Sequence, residues 1–111
     1  MPAILLSETR TTPSDEGYLE SRSVKLFTSA LLRHNGLHSK PTKLLRLDIT
    51  AMYDNIDLVY IGNELASASD RRGHPMEAGD FYQIKWIPLD TIWMDSVTAG
   101  DGISFNAYVE F

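Results

Sequence analysis

The residues able to do chemistry are few and scattered. His34 and His38 stand four apart, a spacing that puts two imidazoles on one face of a helix and suits a zinc ion. No glutamate lies between them as in a metalloprotease helix. The intervening Asn35-Gly36 makes a solvated turn the better reading, and no metal site is expected. The 15 acidic residues supply many carboxylate pairs: Asp54 and Asp57 flank one turn, and Asp90 and Asp95 bracket one strand. A glycosidase needs two carboxyls across a sugar cleft, one with a raised pKa, and nothing singles out such a pair here. Asp54-Asn55-Ile56-Asp57 and Gly100-Asp101-Gly102 resemble fragments of calcium loops, but the full loop pattern with its closing glutamate is absent. There is no G-x-S-x-G elbow and no glycine-rich phosphate loop. With no cysteine in the chain, thiolate ligands, cysteine nucleophiles and disulfides are excluded. The expectation is a protein that is not an enzyme, with no catalytic residue and no cofactor.

Binding is the chemistry that remains. Asp70, Arg71 and Arg72 form a compact charged cluster in the loop from Asn63 to Gly73. Arginine makes bidentate bonds to carboxylates, which suits protein recognition, and a bare surface loop is the competing reading. Tyr82, Trp86 and Trp93 fall on neighbouring predicted strands. Together they could stack on sugar rings, although core or subunit contacts are the commoner use of such aromatics.

The elements that must position these residues are strands. The segment 43–53 alternates Leu45, Leu47, Ile49 and Ala51 against Arg46, Asp48 and Thr50, the period of a half-buried strand. Segment 55–62 alternates Ile56, Leu58 and Tyr60 against Asp57, Val59 and Ile61. In 80–87, Phe81, Gln83 and Lys85 oppose Tyr82, Ile84 and Trp86. In 91–97, Ile92, Met94 and Ser96 oppose Trp93, Asp95 and Val97. In 102–111, Ile103, Phe105, Ala107 and Val109 oppose Ser104, Asn106, Tyr108 and Glu110. Turn signals separate them at Gly79-Asp80, Pro88-Leu89-Asp90 and Gly100-Asp101-Gly102. Val24 to Leu32 is ambiguous. Val24, Phe27 and Leu31 fit a helix capped at Gly36, but the segment has β-branched and aromatic content and Asn35-Gly36 is also a hairpin turn dipeptide. Strand is preferred because the rest of the chain is β.

Many short strands separated by turns predict an all-β antiparallel β-sandwich, jelly-roll-like. A polar N-terminal strand and arm covers 1–23 and the sandwich domain 24–111. The 111 residues suffice for one domain with its own core. A net charge of −5 argues against nucleic acid and anionic membrane surfaces as partners. No apolar run nears the roughly 18 residues of a membrane span, and the start of the chain lacks the basic and apolar regions of a signal peptide. The final strand "AYVEF" is a candidate for docking or self-pairing at a sheet edge, with an internal closing strand as the alternative.

Three pieces occur in order: Tyr60-Ile61-Gly62, Gly73-His74-Pro75-Met76-Glu77-Ala78-Gly79-Asp80 and Leu89-Asp90-Thr91-Ile92-Trp93. With the terminal "ISFNAYVEF" strand, this series resembles small β-sandwich virion proteins of tailed phages over about Lys43 to Phe111. Within that group it is similar to the capsid-stapling (decoration) proteins of epsilon-type short-tailed Salmonella phages. The first 40 or so residues do not follow the pattern. The resemblance implies a non-enzymatic protein made in the host cytoplasm and carried on the outer capsid surface of the virion. It would grip the major capsid protein and reinforce the shell as a homodimer. The expected contact residues, to capsid or to self, are Ile4, Leu5, Tyr18, Asp70, Arg71, Arg72, Trp93, Tyr108 and Phe111. The alternative is a receptor- or carbohydrate-binding module of a phage tail or fibre that uses Tyr82, Trp86 and Trp93.

Overall fold

The computed structural model describes residues 4–12, 24–39, 41, 43–85, 88, 91–98 and 100–110. Eight strands and one short helix follow in order: β1 (Ile4–Thr11), β2 (Val24–Lys25), α1 (Ser29–His34), β3 (Lys43–Ala51), β4 (Val59–Gly62), β5 (His74–Met76), β6 (Phe81–Lys85), β7 (Trp93–Ser96) and β8 (Gly102–Glu110). They form two four-stranded sheets, ordered β1-β8-β3-β6 and β2-β7-β4-β5. Every pairing is antiparallel, and β1 pairs with β8, β2 with β7, β3 with β6 and β4 with β5. This nesting of first with last, second with second-last and so on is a long hairpin rolled up on itself. It is the jelly-roll arrangement of an antiparallel sandwich, as the alternating strands predict.

The core lies between the sheets. Leu6, Leu44, Leu47, Ile49, Ile103, Ala107 and Val109 of the first sheet meet Val59, Ile61, Met76 and Met94 of the second. Each fully buried Leu, Ile or Val contributes about 1.5–3 kcal/mol. The inward set of β8 is the predicted one. In β3 the predicted phase fails at one end, because the register slips between Leu44 and Arg46. A β-bulge there places an extra residue on one strand, so Leu44 is fully buried and Leu45 half-exposed. The predicted strand over 55–62 is also shorter. Ile56 is 78% exposed in a turn, and the strand starts at Val59.

The preferred strand reading of Val24 to Leu32 is corrected to a two-residue strand followed by a helix. Thr28 caps α1, its hydroxyl accepting from the Leu31 amide at 3.2 Å. At the other end Gly36, at φ +83°, donates its N–H to the Arg33 carbonyl, and Leu37 donates to Leu32, both at 2.9 Å. Asn35-Gly36 is therefore a Schellman helix cap and not a hairpin turn. Leu31 and Leu32 enter the core, and Phe27 meets Phe105 edge-on at 5.4 Å.

The last strand is internal. β8 lies between β1 and β3, so the closing-strand alternative holds and the docking-edge reading of "AYVEF" does not. Tyr18 and Phe111, as well as Trp86 and Asp90, lie outside the described residues, as do the arm residues 13–23.

Candidate functional site

The Asp70-Arg71-Arg72 cluster sits on a folded turn. β4 ends at Gly62, where a Cβ would come within 3.4 Å of both the Ala66 Cβ and the Gly73 Cα. The loop that leaves β4 therefore returns close over its own start. Asn63 opens it, accepting from Leu65 N through Oδ1 and from Ala66 N through its carbonyl, both at 2.9 Å. Ser67 and Arg72 then exchange backbone bonds, Ser67 N to Arg72 O at 3.0 Å and Arg72 N to Ser67 O at 2.8 Å. The tip is closed by Asp70 N to Ser67 Oγ and Arg71 N to Ala68 O, both at 3.3 Å. Ala66 and Ala68 are buried, whereas Asp70, Arg71 and Arg72 are exposed. Arg71 has φ +55°, the one non-glycine residue in the left-handed region among those described.

A side chain distant in sequence pins this turn to the sandwich. Asp95 on β7 is buried, and its Oδ2 accepts from the Ala68 amide at 2.8 Å. Its Oδ1 is buried with no hydrogen-bond partner among the described residues. A second buried aspartate organises the other acidic loop. Asp101 Oδ1 accepts from Ile56 N at 2.9 Å, and Oδ2 accepts from Asp57 N at 2.8 Å and from Ser96 Oγ at 3.2 Å. Asn55 grips Gly102 from both sides, donating to its carbonyl at 2.9 Å and accepting from its amide at 2.8 Å. Asp101 thus serves as an acceptor for two loop amides and a hydroxyl. Among the described residues, no group of three or more His, Cys, Asp and Glu is placed to hold a metal.

Other predicted contact residues separate into two groups. Leu5 and Tyr108 are cross-strand partners on the outer face of the first sheet, and Ile4 pairs with Val109 beside them. That face is a regular grid. Leu5, Tyr108, Arg46 and Lys85 form one row; Ser7, Asn106, Asp48 and Gln83 the next; Thr9, Ser104, Thr50 and Phe81 the third. The Arg46 guanidinium lies 4.3 Å from the Tyr108 ring centroid and 3.1 Å from Asp48. The Gln83 amide donates to Asp48 at 2.8 Å, and the Ser7 hydroxyl donates to Asn106 at 2.6 Å. Trp93 belongs to the other group, half-buried on β7 opposite Gly62 and Lys25.

The aromatic platform of Tyr82 and Trp93 is not assembled. Tyr82 is on β6 of the first sheet and Trp93 on β7 of the second, so their strands are not neighbours. Tyr82 is instead stacked on His74, with ring centroids 3.9 Å apart. Beside it, Ile61, Asn63, Tyr82, Ile84, Pro88 and Ile92 line an apolar cleft of about 360 Å³.

No protein family, curated protein or solved structure matches this chain. The site must be read from its own geometry. Phe81, 62% exposed, and Tyr53, 84% exposed, are large apolar side chains on the surface that the sequence did not single out. The exposed side of the Phe81-Gln83-Lys85 alternation was the available signal. Of the two predicted turn histidines, His34 ends α1 and its Nδ1 lies 2.6 Å from Glu8 Oε2. That contact holds the Glu8 carboxyl below its ordinary range. Partial desolvation opposes it, and the Thr9 and Asn35 N–H donors reinforce it.

Proposed function

We propose that this chain is a non-enzymatic capsid decoration protein that binds the outer face of a phage major capsid protein and staples neighbouring subunits, working as two copies. The observation that carries the reading is the Ser67–Arg72 turn. Two adjacent arginines are exposed on a backbone bridged at its base and anchored by a buried aspartate. A pre-ordered arginine pair loses less conformational freedom on binding a carboxylate-bearing surface than a loose loop would. Strain held at a single exposed residue is commonly found at binding sites. The capsid as partner comes from the resemblance of the strand and turn motifs, and the jelly roll is a fold used in viral capsid proteins. Many symmetry-related sites on a shell would multiply a modest contact through avidity.

The test adds purified protein to expanded capsids and measures co-sedimentation and capsid melting temperature. Binding with a raised melting temperature is expected. Arg71→Ala combined with Arg72→Ala should weaken binding about 10- to 100-fold, the range for losing charge-assisted contacts. Wild-type protein that neither binds capsids nor raises their melting temperature would overturn the reading. The carbohydrate-binding alternative draws less support, since its proposed platform is split between the two sheets.

A further inference from the structure

Among the described residues the sandwich has four sheet edges, and three of them carry a device that blocks strand pairing. Along β1, Asn35 at the end of α1 accepts from the Ser7 amide at 3.2 Å, and His34 holds Glu8. The β2 edge is two residues long, and Arg10 covers the Lys25 carbonyl at 3.1 Å. The β5 edge is three residues long with Pro75 at its centre, and proline offers no N–H to a partner strand. Short edges, proline and covering side chains are the usual protections against edge-to-edge association. Among the described residues, the fourth edge, β6, has none of these three; its one charged side chain is Lys85 at its end. It is five residues without glycine or proline, and its register against β3 runs unbroken from Phe81 to Lys85.

The direction of its free groups follows from the ladder. Ala51 donates to the Asp80 carbonyl at 2.9 Å, next to β6. Hydrogen-bonded and non-bonded positions alternate along an antiparallel pair. Tyr82 and Ile84, opposite Ile49 and Leu47, therefore spend their backbone groups on β3. The N–H and C=O groups of Phe81, Gln83 and Lys85 point to the open side. The side chains of these same three residues lie on the outer face, and Phe81 is largely exposed.

We infer that β6 pairs antiparallel with β6 of a second copy, about a two-fold axis through Gln83. This is the self-complementary register. Gln83 meets Gln83 with both backbone bonds exchanged. Phe81 of each copy meets Lys85 of the other, an aromatic face under an ammonium. The tyrosine and isoleucine between them pair across the axis toward the core side. The two first sheets become one eight-stranded sheet, and both Ser67–Arg72 turns remain free because they lie in the loop joining β4 and β5 of the other sheet. This interface gives a site to the two-copy part of the reading above.

Sedimentation equilibrium without capsids tests it. The wild type should show twice the chain mass at micromolar concentration. Gln83→Pro removes the central outward donor of each copy and keeps the backbone ladder to β3, losing there the side-chain bond to Asp48. It should weaken association about 30-fold or more for two lost bonds. Its circular dichroism spectrum reports whether it folds. A second variant needs no loss of pairing. The chain has no cysteine, and a bonded cross-strand pair sits about 5.5 Å apart at Cα, within disulfide reach. Oxidised Gln83→Cys should link into a dimer, whereas Asn106→Cys, two strands inward on the same face, should not. A monomeric wild type, equal cross-linking of both cysteine variants, or a dimer insensitive to Gln83→Pro would overturn the inference. A dimer of the expected kind that ignores capsids would leave the edge standing and remove the decoration reading alone.

Discussion

Two loops of this protein are held to the sandwich by one buried aspartate each, and they are held differently. Asp101 has both carboxylate oxygens engaged, by the Ile56 and Asp57 amides and by the Ser96 hydroxyl. Asn55 reinforces the same loop through Gly102. Asp95 takes a single amide, that of Ala68, and leaves Oδ1 without a partner among the described residues. A charge-assisted hydrogen bond contributes about 1.5–3 kcal/mol, and a buried unpaired oxygen costs about 1–3 kcal/mol. The first arrangement is a saturated structural clamp. The second tethers a loop at one point and leaves its tip, with the two arginines, to face outward. Both loops expose charge, the clamped one Asp54 and Asp57 and the tethered one Asp70, Arg71 and Arg72; the sign and the number of anchors differ.

The largest effect should come from breaking the strong clamp at its base. A Cβ on Gly102 would overlap the Arg10 carbonyl oxygen and crowd the Thr11 Cα at 2.8 Å. These are backbone atoms of the paired strand, so Gly102→Ala should cost about 3 kcal/mol or more, read as a lowered denaturation midpoint in urea. Next comes a matched pair of variants. Asp101→Asn turns one acceptor toward an N–H donor and should cost about 2–3 kcal/mol, roughly 10 °C in melting temperature for a domain of this size. Asp95→Asn keeps an oxygen for Ala68 and removes a half-satisfied buried charge, so it should cost less than about 1 kcal/mol. Equal losses for the two variants would erase the distinction between the loops.

Arg71→Gly sharpens the comparison from the other side. Relief of the left-handed conformation outweighs the entropy of a new glycine only slightly, so a gain of about 0.5 kcal/mol is expected. Capsid affinity should fall in the same variant, which separates a residue kept for binding from one kept for stability. The smallest effect concerns the Glu8–His34 contact. The folded-state pKa of Glu8 is depressed, so its contribution to stability is fully present above the unfolded carboxyl value and is lost as pH falls through the lower folded one. Thermal melts should show Glu8→Gln differing from wild type near neutral pH and converging with it well below pH 4.5, the ordinary value.

How much of this was legible in the sequence depended on whether the cause was local. β8 was readable because each side chain in a central strand with one solvated face obeys strict alternation. The bulge at Leu45 was not, since a bulge shifts phase without a marker when leucines stand on both sides of it. α1 is six residues long, too short for a helical period to outweigh the strand propensities around it. β5 was not among the predicted strands, because its proline argues against one, although an edge strand tolerates it. The order of the 63–73 loop was the deepest omission. Its anchor, Asp95, is 27 residues from Ala68, and no neighbouring residue announces the bond. Asp70, Arg71 and Arg72 could be found by type, but the bonded turn that carries them could not.

The pairing of first strand with last also governs how the molecule comes into being. Ile4 finds its partner at Val109, and Lys43 finds one at Glu110. The strand that joins them, β8, comes last in chain order among the described strands. Until β8 is made, the pairings within reach in the first sheet, among the described residues, are those of β3 with β6. Closing such distant contacts costs loop entropy before any of it is repaid, which places folding in the slow, millisecond-to-second range. Closure of the first sheet therefore waits for β8, and β1 stays without its sheet partner while the strands between the two are made.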